Sequence, residues 1–341
     1  MFKLQKSSKN TLKYPAILVL LVLFLVFLSG CDSSISGSGQ RFSETALLLD
    51  TVVGVTYYDA EDTAAVQSAM KLCRDYELIF SRTDPASELY RLNECGSMAV
   101  SDELLSVLET ALDYCSLTGG AFDVTMGGVS ALYGFSTEHP SAPDDALLSE
   151  ALFHVGYENV TIDGSTVTLG DPEAVIDLGA VAKGYIADRM KEFLLANGVE
   201  HAIIDLGGNV LCLGTKPDGS DYRVGIRDPQ ADAVSPIVTI NVNGGSVVTS
   251  GVYERSFEQD GVTYHHILDS STGRSVRNGL LSVSILGAES LQCDALSTVC
   301  FALGTEAGLN LIERLDGYEA LFITEDMELH FSGGFEKALV Q

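Results

Sequence analysis

Basic side chains are scarce in this 341-residue chain, where 20 Lys and Arg stand against 47 Asp and Glu. A surface so acidic repels nucleic acid and anionic lipid headgroups, which excludes both as charge-driven partners. It repels a phosphorylated ligand equally, so a site for one demands a divalent cation or a few well-placed lysines to reverse the local field. Also missing are the G-x-x-x-x-G-K-[ST] phosphate loop, the G-x-G-x-x-G fingerprint, the G-x-S-x-G elbow and the H-E-x-x-H helix. Their absence removes the common nucleotide-binding and hydrolase architectures. The seven cysteines form no C-x-x-C pair and no zinc-like spacing. Cys293 and Cys300 would lie two helical turns apart, too far to bridge, so buried thiols are expected. No solenoid repeat and no low-complexity linker divides the chain.

Long apolar runs are confined to residues 16–28, preceded by Lys3, Lys6, Lys9 and Lys13. This is the pattern of a signal peptide, too short and too one-sided in charge for a membrane span. The run closes on Leu28-Ser29-Gly30-Cys31, which resembles the bacterial lipobox, where the cysteine is lipidated and becomes the new N-terminus. An uncleaved anchor helix is the alternative. Either reading places the body outside the cytoplasm and attached to the cell membrane. The expected organisation is a signal peptide and lipobox at 1–31, a flexible Ser/Gly tether at 32–40 and one catalytic domain at 41–341. Without the leader, 16 basic side chains face 47 acidic ones, a net charge of −31.

Apolar periodicity supplies the elements. Residues 47–58 read as one strand and 62–80 as a helix, with Ala65, Ala69, Leu72, Tyr76 and Ile79 at three- and four-residue steps. A second helix starts at Ser101, carries Asp102 and Glu103 in its first turn and stops at Gly119-Gly120. Residues 159–169 read as a strand pair turning at Asp163-Gly164, and 237–249 as another turning at Asn243-Gly244. Between them, 174–178 is strand-like, 181–196 helical, and 202–206 a strand. Hairpins are too frequent for a purely parallel sheet, which predicts an α+β fold with mixed or antiparallel sheets packed against helices. Residues 137–145, with two prolines, form an exposed excursion.

Three stretches offer chemistry. In residues 292–304 the apolar spacing predicts a helix on which Asp294 and Thr298 project from one face. A carboxylate and a hydroxyl so placed suit a hard cation such as Mg²⁺, or else Asp294 caps the helix and Thr298 packs. In residues 175–188 a buried strand runs into Gly179 and then a helix, so that Lys183 and the first amides can face a phosphate; an ordinary strand-to-helix turn explains the same residues. The diglycine at 207–208 permits close backbone approach to a ligand or makes a bulge. In residues 263–268, His265 and His266 fall on opposite faces of a regular strand, so only one can serve a site, as a general base.

The stretches DPASELYRLN (84–93), GGAFDVTMGGV (119–129), IDLGAVAKGYIAD (176–188), DLGGN (205–209), VTSGVYERSF (248–257), HHILDSSTG (265–273) and DALST (294–298) together resemble the ApbE family of FAD:protein FMN transferases. The resemblance spans nearly the whole body of the chain. It implies an exported, Mg²⁺-dependent enzyme that cleaves the diphosphate of FAD, transfers FMN to a Thr or Ser hydroxyl of a partner flavoprotein and releases AMP. It implies acceptors among extracytoplasmic subunits of redox-driven ion pumps and related FMN-binding domains. It puts the metal on the side chains of Asp294 and Thr298 and the carbonyl of Ala180. Flavin or nucleotide contacts map onto Ala121, Phe122, Asp123, Asp177, Lys183, Ser250, Gly251 and Leu268, and the family's histidine onto His266. Two positions depart from the pattern: Leu49-Asp50-Thr51 replaces a frequent Met-Gly-Thr, and Thr83 stands where an aromatic often packs on flavin. Both Leu49 and Thr83 are therefore expected to touch FAD, with altered hold. The competing readings are an FAD pyrophosphatase, with water as acceptor, and a flavin-binding lipoprotein without chemistry.

Overall fold

The computed structural model describes residues 40–231 and 235–340. The leader, Cys31 and the tether up to residue 39 lie outside them. The chain opens with an antiparallel hairpin, β1 (Phe42–Leu48) and β2 (Thr51–Tyr57), followed by α1 (Thr63–Phe80), α2 (Glu88–Cys95), β3 (Ser97–Ala99) and α3 (Asp102–Leu117). Two short helices, α4 (Gly127–Tyr133) and α5 (Asp145–Phe153), precede the hairpin β4 (Val160–Asp163) and β5 (Thr166–Leu169), to which β3 adds a third strand. Then come α6 (Ala182–Ala196), β6 (Ala202–Leu206), β7 (Asn209–Leu213), β8 (Tyr222–Arg227) and β9 (Pro236–Val242). The last part holds β10 (Gly245–Gly251), β11 (Ser256–Gln259), β12 (Val262–His265), β13 (Leu280–Gly287), α7 (Ser290–Leu303), α8 (Thr305–Ile312), β14 (Glu319–Thr324) and β15 (Leu329–Phe331).

Eight strands form the central sheet in the order β1-β2-β6-β7-β10-β13-β14-β15, every neighbouring pair antiparallel. Strand alternation sorts its side chains. Leu211 and Leu213 join a core with α1, α3 and α6, whereas Cys212 between them faces the two-stranded sheet β8-β9. Phe322 likewise packs under α7 while Leu321 and Ile323 face β8-β9. The sheet is thus buried on both faces, by helices on one side and a small sheet on the other.

The expected α+β class is what the chain adopts, but several local expectations change. The single strand at 47–58 is the end of one strand and the whole of another: Leu49 (φ 55°) and Asp50 (φ 56°) make a tight turn in the left-handed region. Leucine disfavours that region and no glycine or asparagine marks the turn, so Leu49-Asp50 gave little composition signal. The pair expected at 237–249 does not pair. Gly244 and Gly245, both at positive φ, carry the chain from β9 in the outer sheet to β10 in the central one. Helix α2 went unread because its eight residues hold only two buried leucines, Leu89 and Leu92. The diglycine 207–208 is the two-residue turn of the β6–β7 hairpin, both residues at positive φ, and a Cβ on Gly207 would collide with Thr51. All six cysteines in the described residues are free, and five of them are buried.

Candidate active site

The strand-like segment 174–178 is held from two directions. Asp177 N–H donates to Val124 O at 2.8 Å and Gly127 N–H to Val175 O at 2.9 Å. On the other side the Asn93 amide of α2 brackets Ile176, its Nδ2 donating to Ile176 O at 2.9 Å and its Oδ1 accepting from Ile176 N–H at 2.8 Å. Past this clamp the Asp177 carboxylate turns the chain, Oδ1 accepting from Gly179 N–H at 2.9 Å. Lys183 then folds back so that Nζ donates to Gly179 O at 3.1 Å.

Helices α6 and α7 cap one another. Asp188 of α6 accepts from Ser290 N–H at 3.0 Å and Leu291 N–H at 2.9 Å, which are amides in the first turn of α7. In return Asp294 of α7 accepts from Gly184 N–H at 2.8 Å in the first turn of α6. Asp294 does not cap its own helix; it sits inside α7 and serves its neighbour. Only glycine fits at 184, because an added Cβ would collide with Ser290 O.

This arrangement has a chemical result. In a regular helix Gly184 N–H would donate to Ala180 O, four residues back. Asp294 takes that amide, and among the described residues nothing else donates to the Ala180 carbonyl. The second Asp294 oxygen, Oδ1, accepts no hydrogen bond from any described residue and lies 4.0 Å from Lys183 Nζ. Asp294 is almost wholly buried, and the lost hydration holds its carboxyl above the usual range against the pull of Lys183. One turn along α7, Thr298 Oγ1 shares hydrogen-bond distance with Ser250 Oγ at 3.1 Å, and Ser250 Oγ meets Ser297 Oγ at 2.7 Å. A free carbonyl in the segment next to an underserved carboxylate, with a hydroxyl one helical turn further on, makes an all-oxygen set of the kind that suits a hard cation. Among the described residues no group of three His, Cys, Asp or Glu side chains has metal-binding geometry, so any ion must draw on peptide and hydroxyl oxygens.

The two histidines diverge. Strand β12 ends at His265, whose buried ring donates from Nε2 to Val276 O at 3.0 Å and meets Phe301 edge-on. Ser275 Oγ closes the network, accepting His265 N–H at 2.9 Å and donating to His265 O at 2.7 Å. His266 follows, its N–H donating to Arg255 O at 3.1 Å, while its ring Nδ1 has no hydrogen-bond partner among the described residues. Burial, with the positive charges of Arg255 and Lys183, lowers its pKa to about 3 and keeps the imidazole neutral. Lys183 thus influences His266 as well as Asp294, and the three segments share one electrostatic neighbourhood.

Glu254 belongs to the same space and was not anticipated. Its side chain is exposed to solvent while protein atoms crowd round the carboxyl. Desolvation there pushes its carboxyl up to about 7, with Asp294 adding repulsion and Lys183 opposing. Arg227 lies over the Tyr253 ring at 4.8 Å, and Tyr253 fills the space a side chain on Gly251 would need.

The remaining expected contacts are dispersed around this centre. Ala121, with Gly120, Asp269 and Ser270, lines a hollow of about 280 Å³, closed where Ser270 Oγ donates to Gly120 O at 2.5 Å. Phe122 spends its ring on the main core and its amide on Thr118 Oγ1. Asp123 is likewise committed, Oδ1 to Thr125 and Oδ2 to Tyr157 N–H at 3.0 Å. Leu268 packs beside Met126, Val129 and Tyr133. Leu49 donates its N–H to Glu77 Oε1 at 2.9 Å beside a larger hollow of about 510 Å³, whose lining includes Asp50, Thr51, Phe135 and Arg255. Thr83 is exposed and ties its N–H to Ser81 Oγ at 3.3 Å.

The ApbE family model matches residues 49–322. The FAD:protein FMN transferase of Treponema pallidum is 36% identical over 318 residues, covering 86% of this chain and 88% of that protein. The ApbE protein of Thermotoga maritima superposes with a TM-score of 0.81 at 31% identity, over 89% of this chain and all of that one. The flavin transferase ApbE from Vibrio cholerae does so with 0.79 at 28% identity, over 88% of this chain and 99% of that one. Extent of match, shared architecture and the ordered stretches around the oxygen cluster agree, and the chain belongs to the ApbE family.

Proposed function

We propose that the chain is an FAD:protein FMN transferase, moving FMN from FAD to a Thr or Ser hydroxyl of a partner flavoprotein with release of AMP. The observation that carries this reading is the unclaimed Ala180 carbonyl opposite Asp294. A carboxylate buried without a full set of donors is costly, and a divalent cation is the group that resolves it. Ala180 O, Asp294 Oδ1 and Thr298 Oγ1 would hold Mg²⁺. When bound, Mg²⁺ offsets diphosphate charge and stabilises the departing AMP oxygen.

The protein's own groups supply the rest. Lys183 places an ammonium beside the diphosphate, reversing locally the repulsion of a −31 surface. His266 accepts the proton of the incoming hydroxyl through its unpartnered nitrogen. The hydroxyl oxygen forms a bond to the FMN phosphorus as the bond to the bridging oxygen of AMP breaks. An imidazole with so low a pKa is a weak base, and the anionic diphosphate beside it raises its basicity once FAD is bound. Asp177, Ser250, Gly251, Leu268, Leu49, Thr83 and the 121–123 loop line the dinucleotide path. Attachment through a lipidated Cys31, on the outer face of the cell membrane, completes the reading and brings the enzyme to exported acceptors.

The test is incubation of the lipid-free protein with FAD, Mg²⁺ and an acceptor FMN-binding domain, followed by in-gel flavin fluorescence of the denatured acceptor. Labelled acceptor is the expected result; free FMN with AMP instead identifies a pyrophosphatase, and unchanged FAD a binding protein. His266→Ala is expected to lower transfer by about a hundredfold or more while FAD binding persists. Parallel loss of binding would remove His266 from the role of base.

A further inference from the structure

Arg82 occupies a place that none of the roles above uses. It follows α1 on a turn that its own hydrogen bonds make rigid: Ser81 Oγ accepts from Thr83 N–H at 3.3 Å and Asp84 N–H at 3.1 Å, and the buried Ser87 hydroxyl donates to Ser81 O. From there Arg82 Nε donates to Asp177 Oδ2 at 3.0 Å. Its stem crosses Gly127, where an added Cβ would stand 3.1 Å from Arg82 Cδ and 2.6 Å from Val175 O. The guanidinium is therefore confined on one side by the 124–127 segment and on the other by its carboxylate partner.

Asp177 is fixed on both oxygens, Oδ2 by Arg82 and Oδ1 by Gly179 N–H at 2.9 Å. Its turn carries the Gly179 carbonyl that seats Lys183 and the Ala180 carbonyl left free by Asp294. A polar path thus runs from the 81–84 turn to the oxygen cluster. The two side chains are 23% and 31% exposed, and a lone ion pair still partly open to solvent adds only modestly to folding stability. What it sets is geometry.

We propose that Arg82 is a positioning residue of the dinucleotide site: acting through Asp177, it fixes the 177–180 turn that presents the Ala180 carbonyl and seats Lys183. The inference rests on the FAD reading above and extends it to a residue with no role in that reading. Arg82→Ala weakens FAD binding through the turn it no longer orients, Arg82→Lys restores part of the hold through its ammonium, and neither moves the melting temperature appreciably.

The experiment measures FAD dissociation constants by flavin fluorescence quenching, with Mg²⁺ present, for the wild type, Arg82→Ala, Arg82→Lys, Asp177→Ala and the double variant Arg82→Ala/Asp177→Ala. Thermal melts accompany each. The expected result is a rise of about tenfold or more for Arg82→Ala, a smaller rise for Arg82→Lys, and no further rise when Arg82→Ala is added to Asp177→Ala. Unchanged binding in Arg82→Ala, or its full effect persisting without Asp177, overturns the inference while leaving the functional reading in place. Should Arg82→Ala unfold, Arg82→Lys decides: wild-type affinity alongside an unfolded alanine variant makes the role structural and overturns it. Wild-type protein that binds no FAD overturns both.

Discussion

Asp294 faces two demands, since it satisfies the Gly184 amide with one oxygen and leaves the other with only a distant ammonium. Burial raises its carboxyl pKa, which means that the charge is borne at a cost to folding. Asp294→Asn keeps an acceptor for Gly184 and removes the charge. In metal-free buffer that variant is expected to melt no lower than the wild type, while added Mg²⁺ raises the wild-type melting temperature and leaves the variant unmoved. Equal responses to Mg²⁺ would detach Asp294 from the metal. The histidine pair makes a second prediction. Burial lowers the pKa of His265 to about 4, so the folded chain refuses a proton that the unfolded chain accepts near its ordinary value of about 6.5. Stability from this source is intact above that ordinary value and is lost as pH falls toward 4. Urea midpoints taken at about pH 7 and about pH 4.5 should converge in His265→Gln relative to the wild type; an equal acid decline would sink the assignment. Spacing alone placed Asp294 and Thr298 on one helix, because that relation lies within α7; His265 and His266 also part, although β12 ends at the first of them. Arg82, Asn93 and Glu254 were not legible: Arg82 meets Asp177 across 95 positions and Asn93 meets Ile176 across 83.

Reciprocal capping makes α6 and α7 one unit, each supplying an aspartate to the opening turn of the other. Asp188→Ala strips both carboxylate acceptors from α7 and should lower folding stability by about 1–2 kcal/mol, measurable as a shift in urea midpoint. Since the same change loosens the partner that carries Asp294, the Mg²⁺ concentration needed for the proposed transfer should rise. A destabilised variant with an unaltered Mg²⁺ requirement would mean that the two caps are independent. At this scale the helices α1, α3, α6 and α7 were readable from apolar period and end signals. The β1–β2 turn was not, because Leu49 holds a left-handed conformation that its side chain disfavours. Its N–H anchor on Glu77 of α1 is a tertiary contact that supports the strain.

Across the whole molecule, layer order decides what the acidic surface can do. The sheet is covered on both faces, so its interior contributes apolar mass and the charges gather outside. With a net charge of −27 over the full chain, dilute buffer leaves a repulsive field extending well beyond contact with any dinucleotide. Raising KCl from about 20 mM to about 200 mM shortens the screening length severalfold, and the KM for FAD should fall across that range. A KM that climbs instead would show that Lys183 and its neighbours dominate the approach of the substrate. The α+β class and the β4-β5 hairpin were legible from alternation and turn residues, whereas the pair read at 237–249 splits between two sheets. The docking of β8-β9 on the far face was not, because nothing in a strand's own pattern says which sheet it joins.

The opening turn of α6 is short by one bond at Ala180, and this ties ligation to folding. An ion bridging positions 180 and 294 would complete that turn and rivet two helices that share the roof over the central strands. Occupancy and cooperativity would then rise together, and chelation would loosen first the amides of the α6 entrance, where hydrogen exchange would register the change.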